Sequence, residues 1–104
     1  MMRRFATIQV ESSVIPVPGS SWIGAVVWTY GGERRELAQI GPCRYVTELY
    51  GQAEAVCRRR GYVTDPHEVA YYTATEHPGT RHASASTPLA VEMLDRPERR
   101  RVRR

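Results

Sequence analysis

Residues 22–30 read Trp22-Ile23-Gly24-Ala25-Val26-Val27-Trp28-Thr29-Tyr30, and Gly31-Gly32 follows at once. As a strand, this stretch puts Trp22, Val26, Trp28 and Tyr30 on one face and Ile23, Ala25 and Val27 on the other. A strand apolar on both faces belongs at the centre of a sheet, covered on both sides. A helix is expected on one side, and on the other a second element or a partner chain. Gly31-Gly32 supplies the positive φ values of a two-residue hairpin turn and predicts a return strand over 33–40. Glu33, Arg34, Arg35 and Glu36 make its first half exposed, and Leu37, Ala38 and Ile40 carry its second half into the core.

On the N-terminal side, residues 5–11 alternate, with Ala6, Ile8 and Val10 against Thr7, Gln9 and Glu11, which predicts a half-buried first strand. Pro16, Pro18, Gly19, Ser20 and Ser21 form the loop after it. On the C-terminal side, Gly41-Pro42 ends the third strand. Thr47 is the expected N-cap of a helix over 47–60, with Glu48 at its positive dipole end. Leu49, Tyr50, Ala53, Val56 and Cys57 form one helical stripe, Glu54 and Arg58 an i,i+4 pair, and Gly61 the C′ residue.

Residues 69–75 are β-branched and aromatic and predict a fourth strand. Residues 76–88, with Pro78, Gly79 and several Ser and Thr, predict a linker. Pro88 to Leu94 is expected to form one or two helical turns. The expected fold class is α+β: a three- to four-stranded antiparallel sheet packed on one main helix, with a flexible Arg-rich C-terminal tail. The expected organisation is an α+β domain over 1–75, a loop with a short helix over 76–95, and a basic tail over 96–104.

The 104 residues, 41% hydrophobic and 25% charged, suit one folded domain. No apolar run approaches the roughly 18 residues that cross a bilayer. No apolar core of about seven residues follows Met1-Met2-Arg3-Arg4, so no secretory signal is expected. A cytoplasmic location and reduced thiols at Cys43 and Cys57 are the corresponding expectations, with Cys57 packed on the helix stripe.

The net charge of +4 is carried by 15 Arg and no Lys. Residues 1–95 hold nine Arg and ten acids, whereas residues 96–104 hold six Arg and one Glu. The body is thus slightly acidic and the excess positive charge is terminal. Arg99, Arg100, Arg101, Arg103 and Arg104 are the candidate contacts to DNA or RNA, because Arg neutralises phosphates and releases counterions. An acidic protein surface or anionic lipid would attract the same run, which would otherwise be a solvated terminus.

His67, His77 and His82 lack the spacing of a metal site, and no Gly-rich phosphate loop or nucleophile elbow is present. Trp22, Trp28, Tyr30, Tyr71 and Tyr72 are either core rings or, on an open sheet, platforms for unpaired bases. Glu11, Glu48 and Asp65 are surface acids unless they converge, in which case they would hold Mg²⁺.

Ile8 to Arg60 resembles the first half of ribonuclease H-like domains. The matching features are Glu11 at the end of the first strand, Pro18-Gly19, Gly24-Ala25-Val26-Val27, Gly31-Gly32-Glu33 and Thr47-Glu48-Leu49. The resemblance implies Mg²⁺-dependent phosphodiester hydrolysis, with Glu11 in place of the family's first Asp, Glu48 as its Glu and Asp65 as its next Asp. The first acid is one methylene longer than the family's, the Asn pair before the helix Glu is replaced by Tyr45-Val46, and the later elements are missing. Similar β-β-β-α patterns also occur in small DNA-binding integrase arms.

Three functions are therefore expected in order. The first is a small non-enzymatic intracellular binding protein whose Arg tail contacts nucleic acid or an acidic partner, with no cofactor. The second is a protein–protein interaction or assembly subunit, a homodimer through strand 22–30. The third is a reduced nuclease, the only one that uses Mg²⁺.

Overall fold

A computed structural model of the chain describes residues 4–15, 21–76 and 87–94. Its elements in chain order are β1 (Phe5–Ile15), β2 (Ser21–Tyr30), β3 (Glu33–Cys43), α1 (Val46–Arg59), α2 (Pro66–Glu76) and β4 (Thr87–Met93). The strands form one sheet in the order β3-β2-β1-β4, with every neighbouring pair antiparallel. The α+β architecture expected from the sequence is thus present, with four strands and α1 packed on the sheet.

The hairpin between β2 and β3 turns on Gly31 and Gly32, at φ 57° and 89°, a backbone that residues with a Cβ rarely adopt. The ladder holds Gly24 beside Ser12, Val26 beside Val10 and Trp28 beside Ile8. Strand periodicity then sends Ala6, Ile8, Val10, Val26 and Trp28 to one face, where they meet Leu49, Ala53, Val56 and Cys57 of α1. The helix lies close to the sheet because Gly24 and Gly41 carry no side chain. A Cβ at Gly24 would stand 3.1 Å from Leu49 Cδ2, and one at Gly41 3.0 Å from Leu49 Cδ1. Leu49, fully buried, fills the pit between them. The Gln52 side chain fixes the same contact, accepting from the Gly41 N–H at 2.9 Å and donating to Cys43 Sγ at 3.3 Å.

The opposite face is covered over its β1–β4 half by α2, where Val69 and Tyr72 pack with Phe5, Val91 and Val63. The second cover expected for a two-sided sheet is therefore supplied in part by this chain itself.

Two local expectations are corrected. Residues 69–75 belong to helix α2, not to a fourth strand. Asp65 starts the helix: its Oδ1 accepts from the N–H groups of His67 (2.8 Å) and Glu68 (3.4 Å), and Pro66 follows at the first helical position. The fourth strand is Thr87–Met93, where helical turns were expected. Pro88 sits near the start of a strand at the sheet's margin, a position that tolerates a residue without an N–H. The α+β domain accordingly extends past residue 75 to include β4.

Smaller shifts concern element ends. β3 runs through Gly41 and Pro42, joined by a cis peptide bond, to Cys43. The helix begins at Val46 with Tyr45, not Thr47, as N-cap. Glu48 still serves the helix start, its carboxylate accepting from the Tyr45 N–H at 3.5 Å.

Candidate functional site

The three acids singled out by the sequence are each held locally. Glu11 lies on the sheet face opposite α1 and pairs with Arg34. Glu48 is in the first turn of α1, and Asp65 caps α2. Among the described residues no group of three His, Cys, Asp or Glu side chains is placed to hold a metal ion, so the structure does not bring these acids into one centre.

The aromatic residues divide by burial. Trp28 is a core ring: its indole N–H donates to Glu92 Oε1 at 2.7 Å, and the Arg35 guanidinium lies 4.1 Å from the ring centre. Trp22 and Tyr30 are half-buried against the same cluster. Tyr72 packs on Phe5 with ring centres 5.5 Å apart, while Tyr71 and Tyr45 are exposed. The exposure of Tyr45 has no signature in the sequence, because it falls at a helix end, outside any periodic pattern.

The two sheet edges and the two sheet faces differ. β2 has both edges occupied, by β1 and β3. Of the ways strand 22–30 could join a homodimer, pairing would need an edge it does not have, and packing through its face remains. On the face opposite α1, an open trough of about 630 Å³ runs across the ends of β1 and β2 onto β3. Ile23 and Ala25 form its floor, with Glu11, Arg34, Glu36 and Gln39 around it. Arg34 pairs there with Glu11, and the neutral Gln39 amide donates to Glu36 at 3.0 Å, which satisfies that carboxylate without neutralising it.

Six of the body's nine arginines divide into two groups. Arg34, Arg35 and Arg58 pair with Glu11, Glu33 and Glu54. Arg44, Arg59 and Arg60 are exposed and pair with no carboxylate among the described residues. The tail arginines, Arg99, Arg100, Arg101, Arg103 and Arg104, lie outside the described residues, as do His77 and His82.

Cys43 and Cys57 are both buried and free. Burial pushes the Cys57 thiol up to about 11 from its ordinary 9.0, helped by the Glu54 carboxylate and opposed by Arg60. A thiol raised in the folded state is protonated there while the unfolded chain's has begun to ionise. Its contribution to stability is full below about pH 9 and is lost as pH rises through about 11. The urea midpoint of wild type is therefore expected to fall more steeply between pH 8.5 and about 11 than that of Cys57→Ala. Equal slopes would show that the Cys57 thiol has no part in the alkaline loss.

The chain matches no protein-family model, no curated protein and no solved structure. Among the described residues no helix is long and apolar enough to cross a membrane. What can be read functionally comes from the domain's own surfaces and from the charge C-terminal to β4.

Proposed function

We propose that this is a small binding protein that contacts nucleic acid through its C-terminal arginines. The observation behind the proposal is the separation of charge. A slightly acidic body is succeeded, shortly after β4 in the sequence, by nine residues holding six Arg and one Glu. An all-guanidinium run suits a repeating phosphate backbone, since each group can fork onto phosphate oxygens and release counterions. The leading contacts are Arg99, Arg100, Arg101, Arg103 and Arg104.

The test is anisotropy of a labelled 20-base-pair duplex of mixed sequence. The five tail contacts by themselves give a log–log salt slope of about −4.5, so affinity is expected to fall by about 500-fold or more between 50 and 200 mM salt. Deletion of residues 96–104 is expected to remove most of the binding. Equal binding by the truncated chain would overturn the tail's role.

We also infer a second route, self-association through the face opposite α1, because α2 packs on the β1–β4 half of that face and Ile23 and Ala25 floor the open trough beyond it. Sedimentation at micromolar concentration is expected to show a dimer that Ile23→Arg dissociates. A monomer in wild type would dispose of it.

A further inference from the structure

We infer that the nucleic-acid contact surface continues from the tail onto the folded domain at Arg59 and Arg60. This rests on the proposal that the tail binds nucleic acid.

Three observations carry it. First, α1 ends in Arg58, Arg59 and Arg60, all exposed, yet only Arg58 is answered by a carboxylate among the described residues, Glu54 at 2.9 Å. A cation in the last turn favours the helix dipole, which accounts for basic residues there but leaves two guanidinium groups without a counter-charge among the described residues. Secondly, the chain leaving α1 goes straight to β4. Tyr62 donates back to the Cys57 carbonyl at 3.0 Å, and Val63 pairs with Val91, donating and accepting at 2.9 and 3.0 Å. Arg60 is three residues before Val63, and Leu94 is three residues after Val91. With at most about 3.6 Å per residue and about 5 Å across the pair, Arg60 lies within about 26 Å of Leu94. Thirdly, Leu94 packs against the cluster that α1 makes with the sheet, so the described chain ends on the side of the sheet that carries α1.

Arg60, and Arg59 one residue before it, are thus tied to Leu94 by a short path that bounds Arg60 to about 26 Å from it, and beyond Leu94 six further arginines come within ten residues of sequence. A span of about 26 Å along a duplex presents about 15 phosphates, at one charge per ~1.7 Å. One stretch of duplex can reach both groups. The regular phosphate array is the partner favoured over an acidic protein, because contiguous arginines at two places match a uniform line of charge without needing a particular arrangement of carboxylates.

The experiment uses the full chain, the same labelled duplex and a salt series from 50 to 200 mM. Arg59→Gln with Arg60→Gln is expected to reduce the steepness of the salt slope by about 2, at ~0.9 per contact. Arg59→Lys with Arg60→Lys is expected to keep the wild-type slope. Arg44→Gln, which removes a charge at the other end of α1 that also pairs with no carboxylate among the described residues, is expected to leave it unchanged. Circular dichroism melts establish that each variant folds, and the Lys pair keeps the inference testable if the Gln pair does not. An unchanged slope in the Gln pair, a lowered slope in the Lys pair, or an equal loss in Arg44→Gln would each overturn the inference while leaving the tail proposal standing. Failure of the wild-type chain to bind the duplex would overturn both. Equally tight, equally Arg59- and Arg60-dependent binding to poly-glutamate would reassign the surface to acidic protein.

Discussion

Gly24→Ala is expected to destabilise the domain by about 3 kcal/mol, in the range of severe core overpacking. The added Cβ would stand 2.5 Å from the Glu11 carbonyl oxygen, 3.1 Å from Leu49 Cδ2 and 3.4 Å from Ser12 Cα. The first of these contacts is with backbone, and that backbone is the neighbouring strand in the ladder, where Gly24 faces Ser12. Relief requires β1 and β2 to separate at Glu11, and α1 to rise from the sheet at Leu49. Either movement loses buried apolar contact around Leu49. Urea unfolding checks this: a large fall in midpoint at unchanged m-value is expected. A variant within about 0.5 kcal/mol of wild type, the usual range for harmless surface changes, would show that the sheet yields there at little cost.

The second large effect is expected at Leu49 itself. Leu49→Ala would empty the pit between Gly24 and Gly41, which have no side chains to fill it. Large-to-small changes at fully buried leucines cost about 2–5 kcal/mol, more where the surroundings cannot collapse. Collapse is hindered here because Gln52, one turn further along α1, ties the helix to Gly41 and Cys43. A value in the upper half of that range is therefore expected from chemical denaturation, and one below about 1 kcal/mol would mean that α1 settles into the gap. The double variant Gly24→Ala with Leu49→Ala separates the two clashes. Losing Leu49 relieves the side-chain contact but not the one with the Glu11 carbonyl, so the Gly24→Ala penalty is expected to shrink without vanishing.

The first half of the fold was legible because each element there carries redundant signals. β2 has apolar faces on both sides, the hairpin has two consecutive glycines, and α1 has a stripe, an ion pair and a terminal glycine that agree. The second half misled for a definable reason. Val69 to Thr75 is rich in residues that suit strands, and seven residues are too few for periodicity to separate strand from helix. The deciding signal was upstream, in Asp65-Pro66 with Glu68, a helix start that outweighs the strand propensity of Val69 to Thr75. Pro88 was ambiguous in the opposite sense, since the same ring serves the first turn of a helix or a strand at the margin of a sheet. The placement of Glu11 apart from Glu48 comes from parity. α1 covers the even-numbered side of β1, with Ala6, Ile8 and Val10, so an acid at position 11 points away from it. The order of residues along the chain held no information on which side the helix would choose. That Arg59 and Arg60 pair with no carboxylate among the described residues was hidden for a similar reason, because counter-charges are set by packing.

The short bridge between Val63 and Val91 has a consequence for how copies of this protein meet in crowded solution. A sheet grows by adding strands at exposed margins, and such margins are where misassembly and fibril formation begin. Val63 occupies the outer hydrogen-bonding groups of β4 at Val91. At the far margin, β3 presents Glu33, Arg34, Arg35 and Glu36, and Pro42 near its end has no N–H to offer. Both margins thus discourage an incoming strand, one by occupation and the other by charge and a missing donor. Loosening the Val63 bridge would open the β4 margin first, and with it a path to aggregation that the native chain keeps shut.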